Sequence, residues 1–304
     1  MGITYDCIII GGGIAGLQAA IQLGRYKHDV LVIDSRYGRS TLCRCYHNVL
    51  GWPDGVSGDT LRELGRKHAE KYDIHFKEDK VTKCIEQDDG IGVETERGKF
   101  YETKTLLMST GVMDRIPDIP NIKPCLGLTV YVCPDCDGYE VADRSVVVMG
   151  ARKAGANLAL TLTYWTKDIS YINHEEPDIE PSLKEKLARS GIAYIHQRID
   201  KVITEGDSTF KGVQLQNGKV LHADRGFTAF GGNQVHSELA VQLGVQVMDN
   251  KHIVVDPRTK ETNIRNVWAA GDIVAHSEQV TIAMGDGSQA AIWIHKRLLE
   301  SENG

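Results

Sequence analysis

Residues 5–34 read YDCIIIGGGIAGLQAAIQLGRYKHDVLVID, and the architecture follows from them. A short apolar run ends at Gly11, the spacing Gly11-x-Gly13-x-x-Gly16 follows, an alanine-rich amphipathic stretch runs to about Gly24, and VLVID closes on Asp34. Apolar run, glycine turn, helix and second apolar run make a βαβ unit. In such a unit the first glycine allows the tight turn, the second lets backbone approach a pyrophosphate, and the third lets helix pack closely on strand. The helix would begin with unpaired N–H groups and the positive end of its dipole facing the phosphates. Asp34 stands where an acid accepts hydrogen bonds from a ribose 2′-hydroxyl. The glycine spacing alone is a weak signal; strand before, helix after and acid in place make it a dinucleotide site.

The same pattern returns at residues 145–176, SVVVMGARKAGANLALTLTYWTKDISYINHEE. Gly150 to Asn173 repeats the interval from Gly11 to Asp34 residue for residue. The second copy has lost the chemistry of the first. Arg152 replaces the central glycine, where a side chain fills the space of a pyrophosphate. Asn173 replaces the acid, and Glu175 and Glu176 follow it, so that carboxylates would repel a 2′-phosphate. The expectation is a Rossmann-like unit kept as scaffold. Residues 91–111 and 212–232 read as β-meanders returning to the first and second sheets, the latter with a hairpin turn at Asn217-Gly218. The Gly, Pro and polar stretches 111–120 and 231–237 are the expected crossings between domains.

A chain of 304 residues exceeds one ordinary core and fits two domains. Its net charge of −6 is spread in both signs with no basic run, which argues against nucleic acid as partner. It has no stretch of about 18 apolar residues, and MGITYDCIIIGGG enters a strand without a leader pattern. A soluble cytoplasmic protein without membrane contact is therefore expected. Seven cysteines, an odd number in a long chain, do not suggest a secreted disulfide framework.

Two of them, Cys133 and Cys136 in VYVCPDCDGYE, carry a spacing that serves three chemistries: a zinc clamp, a disulfide that opens and closes, or a turn. For zinc, Cys43, Cys45 and His47 would have to complete the site, but Cys-x-Cys is poor spacing for a structural tetrahedral knuckle, and no metal is expected. For redox work, a two-residue spacer lets sulfurs join and part with little backbone movement. Asp135 opposes a thiolate there, while the following helix start favours one, so the net shift is open. Near the C-terminus, NVWAAGDIVAHSEQVTIAMGDGSQAAIWIHKRLLE (266–300) reads as a strand delivering Gly271-Asp272 to a sheet end, then a helix from near Val280.

Gly11/Gly13/Gly16, the STG at 109–111, CPDCDG and AAGD together resemble the low-molecular-weight thioredoxin reductases, two-domain FAD-dependent disulfide oxidoreductases, nearly end to end. The resemblance implies an α/β protein of two Rossmann-like domains of the three-layer ββα type. An FAD domain of residues 1–114 and 232–304 would be split by an inserted nucleotide-binding-like domain of 115–231. It implies FAD contacts by Gly11, Gly13, Ala15, Gly16, Asp34, Asn48, Gly111 and Asp272, and by the helix start at Gln279 and Val280. Cys136 would be the thiol beside the flavin, Cys133 the one that attacks the partner, and Asp137 the proton donor and acceptor. The implied partner is a thioredoxin-like protein or other disulfide substrate, and the implied assembly a homodimer.

The chain departs from the family where NADPH should bind. Members carry an intact Gly-x-Gly-x-x-Ala turn and a His-Arg-Arg-Asp stretch that grips the 2′-phosphate; here stand Arg152, Lys153 and Asn173-His174-Glu175-Glu176. An arginine clamp gives NADPH its bidentate contacts, and carboxylates reverse that preference. A donor other than NADPH, such as a ferredoxin, is expected. An NAD(P)H-dependent thioredoxin-disulfide reductase and an FAD-dependent dithiol oxidase using oxygen share the same motifs. A non-catalytic flavin redox sensor is a further alternative, against which the retained Cys133, Cys136 and Asp137 speak. Cys43 and Cys45, absent from the family pattern, are candidates for a second thiol relay.

Overall fold

The structure is a computed structural model and describes residues 4–302. The chain forms two compact units: one of residues up to 41, 58–113 and from 234 onward, the other of 42–57 and 114–233. The first unit opens with β1 (Thr4–Ile10), α1 (Ile14–Arg25), β2 (Val30–Asp34), α2 (Gly58–Glu70) and β3 (His75–Glu78). A meander of β4 (Val81–Gln87), β5 (Gly90–Thr95) and the long β6 (Phe100–Met108) follows, then β7 (Val112–Met113). β1 pairs in parallel with β2 on one side and β6 on the other, so the sheet runs β3-β2-β1-β6-β5-β4. Parallel strands buried on both faces need apolar residues at every position. Accordingly Ile8, Ile10, Leu31 and Ile33 face one core and Cys7, Ile9, Val30 and Val32 the other.

The second unit contains β8 (Val130–Tyr131), the single turn α3 (Pro134–Asp137), β9 (Val146–Gly150), α4 (Arg152–Leu162) and β10 (Ile169–Asn173). It continues through α5 (Pro181–Arg189), β11 (Ala193–His196), β12 (Ile199–Glu205), β13 (Thr209–Leu215), β14 (Val220–His222) and β15 (Arg225–Ala229). Its five-stranded parallel sheet runs β11-β10-β9-β15-β8. The meander β12-β13-β14 holds the predicted Asn217-Gly218 turn but forms a sheet of its own. In the first unit one long strand, β6, belongs to both parts; here the chain breaks between β14 and β15. At the break Asp224 Oδ2 accepts from Ser145 N–H and Oγ at 3.1 and 2.7 Å, which turns the strand away from its own meander.

Back in the first unit come β16 (Gln234–Val235), α6 (Glu238–Gln242), β17 (Val267–Ala269) and α7 (Val280–Glu302). β17 pairs with β6 in parallel and completes the seven-stranded sheet. Helices α1 and α7 share one core face through small residues, among them Ala15, Ala19, Ala283, Ala290 and Ala291. A methyl group on Gly287 would lie 2.2 Å from the Ala15 carbonyl oxygen, so the two helices approach as closely as backbone allows. No described helix is long and apolar enough to cross a membrane.

Candidate active site

The carboxyl ends of the parallel strands of the first unit gather nine of the residues singled out from sequence. Gly11 follows β1, Asp34 ends β2, Gly111 follows β6, and Gly271-Asp272 follow β17. Open α/β sheets bind ligands at that edge. Gly11 has φ +104°, and a methyl group there would meet Ser109 O at 2.4 Å; one on Gly16 would meet Gly11 O at 2.0 Å. These two glycines are demanded by the protein's own packing. Nothing lies within 4 Å of the place a Gly13 side chain would take, and Gly13 caps α1 without a side-chain hydrogen bond. The first N–H groups of α1 are thus left for a ligand. Ala15 packs under this turn, its methyl 2.8 Å from where Gly271 would carry one. Gln279 accepts the N–H of Ala283 at 2.9 Å and so begins α7 ahead of Val280.

Side chains that no motif announced hold these groups in place. Arg62 on α2 donates to Asp34 Oδ2 at 2.6 Å and to Ser40 Oγ at 3.4 Å. Arg39 donates to Asp272 Oδ2 at 3.0 Å and also pairs with Glu278. Burial pushes the Asp272 carboxyl up and Arg39 opposes it. Ser109 Oγ donates to Ile10 O and Gly11 O at 3.0 and 2.8 Å, bracing the glycine turn. Asp286 of α7 is buried and accepts from the Gly271 N–H at 3.2 Å, from Lys260 at 2.8 Å and faces His276 Nε2 at 2.5 Å. Despite its burial Asp286 titrates below the usual carboxylate range, held there by His276 and Lys260, and His276 is raised by Asp286.

The second unit carries the cysteines. β8 leads to Cys133, whose extended backbone caps a turn started by Pro134, with Asp137 N–H reaching back to Cys133 O at 3.0 Å. The turn sets Cys136 Sγ 2.7 Å from Cys133 Sγ. The hydrogen bond from Cys136 lowers the Cys133 thiol and raises that of Cys136, which outweighs burial and Asp135 at Cys133. Cys133 is therefore the readier nucleophile. Asp137 is buried, and burial first and Glu140 second push its carboxyl up to about 7. Such a group gives and takes protons near neutrality. The loop 42–57 belongs to this unit, and with it Asn48, Cys43, Cys45 and His47. Burial and Asp137 push the Cys43 thiol up to about 12, and Cys45 is raised by burial and by Glu140 and Asp137. Both are poor nucleophiles at neutral pH. Among the described residues no three His, Cys, Asp or Glu side chains group as metal ligands.

The profile of the family described as pyridine nucleotide-disulphide oxidoreductase matches residues 5–287. The chain belongs to that family. A thioredoxin reductase of Rickettsia bellii is 28% identical over 311 residues, covering 98% of this chain and 99% of its own. A 34.2 kDa protein in the rubredoxin operon of Clostridium pasteurianum is 28% identical over 307 residues, covering 96% of each. The crystal structure of a thioredoxin reductase from Streptococcus pyogenes superimposes with a TM-score of 0.86 at 25% identity, covering 99% of this chain and all of that one. The protein is a thioredoxin reductase-like oxidoreductase acting on a disulfide, with FAD as cofactor. The first unit fits that cofactor: open space at Gly13, free N–H groups at the start of α1, and the Asp34 and Asp272 carboxylates at the same sheet edge.

The second glycine turn differs from the first. Positive φ falls on Arg152, at +51°, and not on Gly150. The fully buried Asn173 turns its side chain onto the turn: Oδ1 accepts the Arg152 N–H at 2.7 Å, while Nδ2 donates to Pro177 O and Tyr194 OH at 3.3 Å each. The Arg152 guanidinium folds onto the Glu176 carbonyl at 2.6 and 3.0 Å. Arg115 grips Glu175 with two bonds of 2.8 and 3.0 Å and gives two further donors to Gly231 O and Phe230 O. The turn is closed by the protein's own polar groups.

Proposed function

We propose that this FAD-dependent oxidoreductase reduces a disulfide of a thioredoxin-like protein through Cys133 and Cys136, drawing electrons from a donor other than NADPH, such as a ferredoxin. The observation that carries the reading is the Asn173 side chain on the Arg152 N–H, the helix-start donor a dinucleotide phosphate would need. Glu175, in the stretch after Asn173, is itself held by Arg115. The resemblance to a protein of a rubredoxin operon supports a small redox protein as partner. The homodimer implied by the family resemblance and the cytoplasmic location expected from the sequence belong to the same reading.

FAD held at the Gly11–Gly16 turn, once reduced by its donor, would supply an electron pair. The Cys133–Cys136 disulfide accepts the pair and two protons and opens to two thiols, Asp137 being the local proton source. Cys133, the more acidic thiol, then attacks a sulfur of the partner disulfide, forming a mixed disulfide and expelling one partner thiolate. Asp137 takes the Cys136 proton, and Cys136 attacks Cys133, which releases the second partner thiolate and recloses the pair. Flavin absorbance during anaerobic mixing tests the donor. Reduced ferredoxin should bleach it within seconds and NADPH or NADH should not; rapid bleaching by either nucleotide overturns the reading.

A further inference from the structure

Each opening and closing of the Cys133–Cys136 bond moves protons through Asp137, yet Asp137 is only 8% exposed. The turn leaves it little direct access to water. The side chain within ion-pair reach is His47, whose Nδ1 lies 3.9 Å from Asp137 Oδ1 and 4.0 Å from Glu140 Oε1. Its side chain is 32% exposed, against 11% for that of Asp137. His47 therefore spans the distance between a buried carboxyl and solvent, with a second carboxylate to orient it.

The loop is built to hold the imidazole there. Tyr46 and Val56 exchange both backbone hydrogen bonds, at 2.7 and 3.0 Å, and pin the residues on either side of the loop. Gly55, with φ +80°, fits under it: a methyl group there would meet Cys45 Sγ at 2.3 Å and the His47 ring at 3.3 Å. The loop is tied to the rest of its unit by Arg44, which donates to Pro124 O at 2.8 Å. Around Asp137 the other groups of its own segment and of the loop are thiols and carboxyls. Its own segment brings Cys133, Asp135, Cys136 and Glu140, the loop brings Cys43 and Cys45, and β8 brings Tyr131, beside which Arg225 of β15 sits. A neutral imidazole accepts a proton at one ring nitrogen and donates one from the other.

Resting on the thiol chemistry proposed above, we infer that His47 is a positioning residue that carries the Asp137 proton to and from solvent, held in register by Glu140. When Cys136 loses its proton to Asp137, that proton passes to His47 and out to water; when the disulfide opens, it returns by the same route. The redox balance of the cysteines is unchanged, since His47 moves protons only.

The test uses the full chain reduced with dithiothreitol, freed of reductant, and mixed with an aromatic disulfide whose released thiolate absorbs light. Neither the electron donor nor the protein partner enters. Two thiolates are released: the first by Cys133 attack, the second when Cys136 resolves the mixed disulfide. His47→Gln should leave the first phase unchanged and slow the second about tenfold at pH 7, a modest share of the effect of a general acid-base group. Added imidazole should restore it in proportion to its concentration, and Glu140→Gln should give an intermediate slowing. A second phase unchanged in His47→Gln, or slowed without recovery in imidazole, overturns the inference. Cys136→Ser serves as reference: should it still release the second thiolate, the proposed roles of the cysteines fail, whatever His47 does.

Discussion

A methyl group at Gly13 and one at Gly16 ask different questions of the same motif. At Gly16 it would press on the Gly11 carbonyl oxygen at 2.0 Å and Ser109 Oγ at 2.6 Å, backbone and braced side chain that have nowhere to go. Gly16→Ala should destabilise even the FAD-free protein by about 1–3 kcal/mol, the usual cost of overpacking, seen as a fall of several degrees in its melting temperature. Gly13 has open space and an ordinary φ of −77°. Gly13→Ala should melt within about 1 kcal/mol of the parent without cofactor, yet lose FAD on gel filtration, because the methyl takes the phosphate's place. A Gly13→Ala protein that keeps its flavin would place the cofactor elsewhere. The three glycines were equal in the sequence motif, and only packing separates Gly11 and Gly16, which the fold demands, from Gly13, which it leaves open. Asp34 and Asp272 could be named from the sequence because Asp34 stands at a set interval after the first glycine turn and Asp272 directly after Gly271 at a strand end. Arg62 and Arg39 could not: each meets its carboxylate through tertiary packing, across sequence separations of 28 and 233 residues that have no period.

At the scale of elements, α7 is tied to the turn after β17 by Asp286, and that tie should depend on pH in a stated direction. Asp286 is lowered from an ordinary value of 3.8, so its contribution is present above that value and is lost as pH falls through the folded one. His276 is raised from 6.5, so its contribution is present below 6.5 and is lost as pH rises through its elevated value. The melting-temperature difference between parent and Asp286→Asn should therefore be largest between about pH 4 and 6.5 and shrink on both sides. Lys260 leaves a remainder at alkaline pH. A difference independent of pH would show that Asp286 acts only through the Gly271 N–H. The start of α4 offers a second test. Asn173→Ala would leave the Arg152 N–H, in a part-buried site, without its Oδ1 partner, at a cost of about 1–3 kcal/mol. It should gain no affinity for NADPH by equilibrium dialysis, since Glu175 and Glu176 remain. The sequence showed that this turn had lost its glycine; that Asn173 had moved in as the replacement partner could not be read, because an amide at a strand end serves ribose and backbone alike.

The molecule as a whole is two units, each with a core in two layers closed by side chains of its own unit. The repeated βαβ pattern made that legible along the chain, down to the strand, turn and helix of each half. The segment 42–57 was not legible in the same way. A linear reading leaves it with the FAD domain, between β2 and α2, whereas the structure groups it with the cysteine-bearing unit. What decides this is contact with residues some 80 positions on: Arg44 with Pro124, and Cys43 and Arg44 with Gly127, whose φ of +73° and lack of a side chain admit the loop. His47 reaches Asp137 for that reason and no other. Two separately closed units, one of which holds the glycine turn for FAD, should unfold in two calorimetric steps. Only the step of the first unit should rise on adding FAD, by about 2.7 kcal/mol at a free concentration one hundred times its dissociation constant. Gly13→Ala should abolish that rise and leave the other step where it was. A single transition that moves as one body with FAD would mean that the two units melt cooperatively. Flavin loading would then also stabilise the turn that carries Cys133 and Cys136, and hydrogen exchange at that turn would register it.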